Sequence, residues 1–181
     1  MKKILVPFQN DEYKDLRSGD WVLLTGTIYT ARDAAHKRMF ETIQAGGSLP
    51  FNLHGQVIYY VGPTPPRPGQ IIGSAGPTTS SRMDAYTPKL LEMGLKGMIG
   101  KGYRNEEVKK AIVQYGAVYF AAIGGAGALI SKAIKQAELV AYEDLGTEAI
   151  RKLFVENFPV IVINDAHGGD LYEEGVARFR Q

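Results

Sequence analysis

From Thr87 onward, short apolar runs alternate with segments that open on a capping residue and close on glycine. This rhythm constrains the fold more than any other feature of the chain. Thr87-Pro88 reads as an N-cap followed by a first-turn proline, with a helix running to Met93 and stopping at Gly94. Met98-Ile99 reads as a short buried strand, and Asn105 as the cap of a helix that ends at Gly116. Residues 117–123 then read as a strand, 127–137 as a helix and 138–142 as a strand. Thr147 caps a further predicted helix to Glu156, and residues 159–164 form the last predicted strand, followed by a loop over 165–170. Such an alternation folds as a mainly parallel sheet covered by helices.

The first half is richer in strand. Residues 20–29 carry the branched and aromatic side chains of a strand, and Thr30 with Asp33 three residues later reads as a helix N-terminus. That helix is expected to reach about Ile43, before Gly46-Gly47. Residues 56–61 and 70–73 read as strands, joined by a stiff connector containing Pro63, Pro65, Pro66 and Pro68. The expectation is an α/β chain forming one domain over residues 1–181, a parallel sheet joined to a strand-rich layer. A chain of this length buries roughly 70% of its unfolded surface, so it needs neither disulfide nor metal to fold.

Charge and composition narrow the function. Twenty-one basic and 19 acidic residues leave a net charge of +2, too balanced for a nucleic-acid binder. Cysteine is absent, which removes disulfides, thiol nucleophiles and thiolate ligands for zinc or iron–sulfur clusters. His36, His54 and His167 are too scattered to form a metal motif. The first residues lack the apolar core of a signal peptide, so a cytoplasmic location is expected. Residues 111–131 carry no charge, but glycines interrupt them, which fits a strand, a turn and a helix rather than a membrane span.

Several residues look out of place. On the helix after Thr30, Arg32 and His36 share a stripe with Met39, Phe40 and Ile43, the residues that would bury it. Either both snorkel past the helix end, or they form a cationic clamp where the macrodipole already favours an anion. For His36 a hydrogen-bonded structural role is the simpler account. Gly73-Ser74-Ala75-Gly76-Pro77-Thr78-Thr79-Ser80-Ser81-Arg82-Met83-Asp84 gathers small residues and hydroxyls beside an arginine, as a capped turn or an anion site does. Gly100-Lys101-Gly102 follows a short strand, where parallel sheets place their ligands. Gly124-Gly125-Ala126-Gly127 resembles a phosphate loop without matching a dinucleotide or Walker motif.

Together these segments resemble a known family. The run Gly26-Thr27-Ile28-Tyr29-Thr30-Ala31-Arg32-Asp33-Ala34-Ala35-His36-Lys37-Arg38 is similar to the opening signature of the β subunit of class I, iron–sulfur-dependent hydro-lyases, the fumarate hydratases and L-tartrate dehydratases. Tyr60-Val61-Gly62-Pro63, the 73–84 run and Ile99-Gly100-Lys101-Gly102 match in order and spacing. The resemblance implies a swivelling β/β/α layered domain that closes over a partner. It implies a [4Fe–4S] cluster held by three cysteines of a separate α subunit, which agrees with the absence of cysteine here. It further implies an α2β2 assembly, a dicarboxylate substrate bound by Arg32, Arg82 and Lys101, and Thr78 as the proton-abstracting base, with Thr79 as the alternative; His36, from the stripe it shares with Arg32, stands as a further candidate site residue. The activity so implied is reversible hydration of fumarate to malate, with tartrate dehydration as the alternative. A non-catalytic anion- or nucleotide-binding module using Gly124–Gly127 is the competing class.

Overall fold

The computed structural model describes residues 1–123 and 127–180. Its strands are β1 (Lys2–Val6), β2 (Trp21–Thr30), β3 (Val57–Tyr59), β4 (Gly97–Gly100), β5 (Val118–Ala122), β6 (Ile134–Ala141) and β7 (Ile150–Asn164). The helices are α1 (Asp33–Gln44), α2 (Thr87–Glu92), α3 (Glu106–Tyr115), α4 (Gly127–Ala133) and α5 (Leu171–Phe179). Strands β1 to β5 run parallel to their neighbours in sequence order. Strand β7 is antiparallel to β2, β5 and β6. The expected mainly parallel sheet is thus a mixed one, and because β7 pairs with both β2 and β5 the ring β2-β3-β4-β5-β7 closes into a small barrel.

Closure depends on bends in the two longest strands. The β2–β7 register shifts between Leu24 and Gly26, and Asn157 opposite turns to a left-handed φ of 51° while its N–H donates to Thr25 Oγ1 at 3.0 Å. Gly26 has a φ of 131°, and a Cβ there would lie 1.8 Å from the Val6 carbonyl oxygen. Only glycine lets β1 lie against β2 at this bend.

Alternation along the strands separates two cores. Val57, Tyr59 and Val61 point into the barrel with Leu24, Ile28, Phe120, Leu153 and Phe158. Ile58 and Tyr60 point outward and pack with Ala35 and Met39 of α1, Leu90 and Leu91 of α2, and Val108 and Ile112 of α3.

Several local expectations change. Residues 147–156 do not form a helix: a 3-10 segment over Glu143–Glu148 leads into β7. The helix expected over 127–137 stops at Ala133, where β6 begins. Residues 70–73 are not a strand, because Thr64 ties this stretch down as a loop, with its N–H 3.0 Å from Ser74 O and its Oγ1 2.7 Å from Ser74 N. Thr30 ends β2 instead of capping α1: its hydroxyl is buried between Ala149 O and Arg151 N, and Arg32 takes the cap position. Tyr86, not Thr87, precedes α2, and the Thr87 hydroxyl donates to Met83 O at 2.8 Å. Asn105 and Gly116 cap α3 as predicted, Asn105 Oδ1 accepting from Val108 N at 2.9 Å and Gly116 adopting a φ of 63°. Strand β1 and helix α5 were not anticipated. Asp170 caps α5 by accepting from the N–H groups of Tyr172 and Glu173. No helix among the described residues is long and apolar enough to cross a membrane. Gly124, Gly125 and Ala126 of the candidate nucleotide loop lie outside the described residues.

Candidate functional site

Three neighbouring parallel strands end at one edge of the barrel, and each is followed by a residue singled out from sequence. Arg32 follows β2, Tyr60 to Gly62 follow β3, and Lys101 follows β4. Backbone hydrogen bonds fix these exits against one another: Ala31 N donates to Tyr59 O at 3.1 Å, and Tyr60 N to Ile99 O at 2.8 Å. The hydroxyl-rich segment is laid across the same edge. Thr78 N donates to Tyr60 O at 2.7 Å and Ser80 N to Lys101 O at 2.9 Å, with a parallel bridge between Thr79 and Lys101. Arg32, Thr78, Thr79, Arg82 and Lys101 therefore share the carboxyl end of β2, β3 and β4, the end at which open parallel sheets bind ligands.

The three cations differ in how they are held. The Arg32 side chain is one-quarter exposed, with Asp33 at 3.6 Å and Glu148 at 3.7 Å. Both contacts exceed hydrogen-bond length, and the buried Arg32 Nε has no acceptor among the described residues. Arg32 is thus flanked by carboxylates and keeps donor capacity in hand. Arg82 and Lys101 are exposed, and among the described residues neither side chain has a hydrogen-bond or ion-pair partner. Thr78 is half-buried and Thr79 exposed. His36 lies wholly inside, with Nδ1 2.8 Å from the Arg32 carbonyl oxygen and, among the described residues, no partner for Nε2. Burial pushes its pKa down to about 4 against the opposing effect of the Arg32 carbonyl, so at neutral pH the imidazole is uncharged. The structure places it beneath the edge as a support for Arg32 and not as a surface cation.

Two glycines permit the close approach of these segments. A Cβ on Gly100 would sit 2.0 Å from Ser80 Oγ and 2.8 Å from Tyr60 Cδ2. A Cβ on Gly62 would sit 2.9 Å from Arg32 Cδ and 3.2 Å from Thr147 O.

Under the edge lies a buried polar network that sequence reasoning missed. Arg104, whose side chain is fully buried, donates from Nε to Asp84 Oδ1 at 2.7 Å, and from Nη2 to Thr87 Oγ1 at 2.9 Å and Tyr60 OH at 3.2 Å. Its guanidinium lies 4.8 Å from the Tyr119 ring centroid. Asp84 Oδ2 also accepts from Asn105 N at 2.9 Å. Tyr119 OH donates to Gly102 O at 2.8 Å and is 2.7 Å from Ser80 Oγ, which must then be the donor to it. Burial holds the Tyr119 phenol above its usual pKa, so it remains a neutral donor. Asp84, Ser80, Tyr60 and Gly102 stand in the matched runs, and Thr87 and Asn105 read as caps, but nothing in the sequence joins them; Arg104, three residues after Lys101, reads in sequence as an ordinary surface cation.

Cavities of about 400 and 450 Å³ are lined by other residues, the first by Lys109, Asn164 and Asp170 among others, the second by Pro63, Pro66, Glu138 and Arg151 among others. Among the described residues no group of three His, Asp or Glu side chains is arranged to hold a metal, and the chain has no cysteine. Its residues therefore do not fit an iron–sulfur cluster as ligands.

Residues 3–175 match the family described as Fumarase C-terminus. The chain is 39% identical over 169 residues to a Methanocaldococcus jannaschii protein named "Putative L(+)-tartrate dehydratase subunit beta", covering 90% of this chain and 87% of that one. It is 42% identical over 153 residues to Fumarate hydratase 1, mitochondrial, of Leishmania major, covering 83% of this chain and 28% of that protein. The same figures, 42% over 153 residues, 83% and 28%, hold for Fumarate hydratase class I, anaerobic, of Escherichia coli. The chain thus spans about a quarter of the length of these fumarate hydratases, and nearly all of the separate subunit.

Proposed function

The chain belongs to the fumarase C-terminus family, and from that membership we propose that it is the substrate-clamping half of a dicarboxylate hydro-lyase, a β subunit that adds water reversibly to fumarate to give malate. The observation that carries this reading is the gathering of cations from three separate stretches at one strand edge, with two of them unpaired among the described residues. A substrate with two carboxylates needs such a set: Arg32 and Arg82 offer planar forks for bidentate binding, and Lys101 a point charge for the remaining oxygen. In the dehydration direction Thr78 Oγ takes the proton from the carbon next to the one losing hydroxide. A threonine hydroxyl is a weak base at neutral pH, and the neighbouring positive charges favour its alkoxide. Thr79, one residue on, is the alternative candidate for this base.

The edge is open, so the other half of the site belongs to a partner. In this reading the partner is a cluster-bearing α subunit that supplies the [4Fe–4S] group, the assembly is α2β2, and it works in the cytoplasm. This chain, a single swivelling domain, closes over the α subunit. The near full-length match to a protein named as a tartrate dehydratase β subunit favours tartrate as a second substrate reading, since the same clamp suits both acids.

The test is reconstitution. The purified chain alone is expected to turn over neither fumarate nor tartrate, and mixing with the cluster-bearing partner is expected to restore one of the two activities. Turnover by the isolated chain, or inactivity of the assembled, cluster-loaded complex on both acids, overturns the assignment. Stabilisation of the isolated chain by nucleotide in a thermal-shift assay would favour the binding-module reading instead.

A further inference from the structure

We infer that Asp84, Arg104 and Tyr119 are positioning residues that set the register between the turn carrying Thr78, Thr79 and Arg82 and the loop carrying Lys101. This rests on the hydro-lyase reading and adds to it the device that holds the two halves of the clamp in mutual alignment. Asp84 stands two residues after Arg82, and Arg104 three residues after Lys101. Their ion pair at 2.7 Å therefore joins the stems of both segments.

A buried ion pair is weak evidence for stability, because desolvation offsets much of the Coulomb attraction and an apolar pair of similar volume often does as well. What it supplies is direction. The guanidinium donates to Asp84, Thr87 and Tyr60 from fixed angles, and the second Asp84 oxygen accepts from Asn105 N, so the pair admits one arrangement of these backbones. Tyr60 belongs to both sides, since its hydroxyl receives Arg104 and its carbonyl receives Thr78 N.

Tyr119, projecting from β5, makes the final tie. The chain of hydrogen bonds from Ser80 Oγ to Tyr119 OH to Gly102 O links a side chain two residues after Thr78 with the carbonyl one residue after Lys101. Beside it, the Ser80 N to Lys101 O bond is the direct backbone link between the two segments. Without Tyr119 that backbone link and the Asp84–Arg104 pair remain, but the side-chain tie from Ser80, the residue of the turn nearest Thr78 that it holds, to the Lys101 loop is lost. The stem beside Arg82 would still be anchored through Asp84 and Arg104, and Arg32 stands at the end of another strand, so substrate binding and proton abstraction should separate.

Replacing Arg104 outright would leave Asp84 buried without its counter-charge and risks unfolding the chain, so the informative change is Tyr119→Phe, which keeps the ring over Arg104 and removes one oxygen. In the complex with the cluster-bearing partner, kcat for fumarate hydration is expected to fall about tenfold or more, with KM within about threefold of wild type. An unchanged kcat overturns the inference, and so does a fall in kcat matched by a proportionate rise in KM, which is the signature of a merely loosened pocket. If Tyr119→Phe does not assemble, Ser80→Ala is read by the same criteria. If the wild-type complex hydrates no dicarboxylate, the hydro-lyase reading has failed, and the tie is judged by amide hydrogen exchange. Exchange of the Ser80 N–H about tenfold faster in Tyr119→Phe then supports it, and unchanged exchange overturns it.

Discussion

Adding a single methyl group at Gly100 should damage this protein as much as truncating a large core side chain. The new Cβ would lie 2.0 Å from Ser80 Oγ and 2.8 Å from Tyr60 Cδ2, inside any permissible contact. Gly100 does not have a positive φ, so the penalty is one of space and not of backbone conformation. Ser80 could escape by rotating its hydroxyl away, but that breaks its buried 2.7 Å bond to Tyr119 and leaves an unsatisfied group, which costs about 1–3 kcal/mol. The Tyr60 ring must also shift, an overpacking term of about 1–3 kcal/mol. Gly100→Ala is therefore expected to destabilise by about 2–6 kcal/mol, lowering the melting temperature by about 5–20 °C. The decisive assay is a double-mutant cycle in chemical denaturation. With Ser80→Ala already in place the nearest serine atom is Cβ at 3.4 Å, and the same Gly100→Ala change should cost less by at least about 1 kcal/mol. Additive costs, or a Gly100→Ala variant within about 0.5 kcal/mol of wild type, would refute the claim that this segment is seated directly on β4.

Three further outcomes are expected. Arg32→Ala in the assembled complex should lower kcat/KM by about a hundredfold without a change in folded-state circular dichroism, while Thr78→Ala should still bind dicarboxylate yet fail to exchange the substrate's C3 proton with solvent; wild-type steady-state kinetics or retained exchange would remove the residue concerned from the site. His36 titrates from 6.5 in the unfolded chain to about 4 in the folded one, so the unfolded state binds more protons between these values, and stability present above pH 6.5 should decline by about 3 kcal/mol as pH falls to 4. Denaturation midpoints of His36→Asn across that window should show a flatter profile than wild type, and parallel profiles would mean that another group titrates.

What could be read from the sequence was local. Asn105, Gly116 and the apolar stripe through His36 and Met39 report their own neighbourhoods, and each took the position expected of it. The failures share a cause in long-range pairing. Residues 147–156 contain Glu148, Ala149, Lys152, Leu153 and Glu156, good helix formers with Ile150 and Leu153 one turn apart. They become strand because β2 and β6 flank them on both sides, an influence no local window contains. The helix after Asp170 was missed although its signal was present, an aspartate at the cap with Glu173 three residues on. At the site, the individual cations stood out, but their meeting depends on the parallel register of β2, β3 and β4. Arg104 was invisible for a related reason: what distinguishes it from a surface arginine is a carboxylate twenty residues away, brought beside it by the chain's path.

The closing strand has a consequence for how the molecule comes into being. All the proposed clamp residues are synthesised by position 101, yet β2 and β5 keep open edges until the polypeptide between 150 and 164 has left the ribosome. Barrel closure joins the first third of the chain to the last, a high-contact-order event that is slow by nature and exposes unpaired strands while it waits. A nascent chain arrested before Ile150 would hold every candidate ligand-binding side chain and still have no ring on which to mount them.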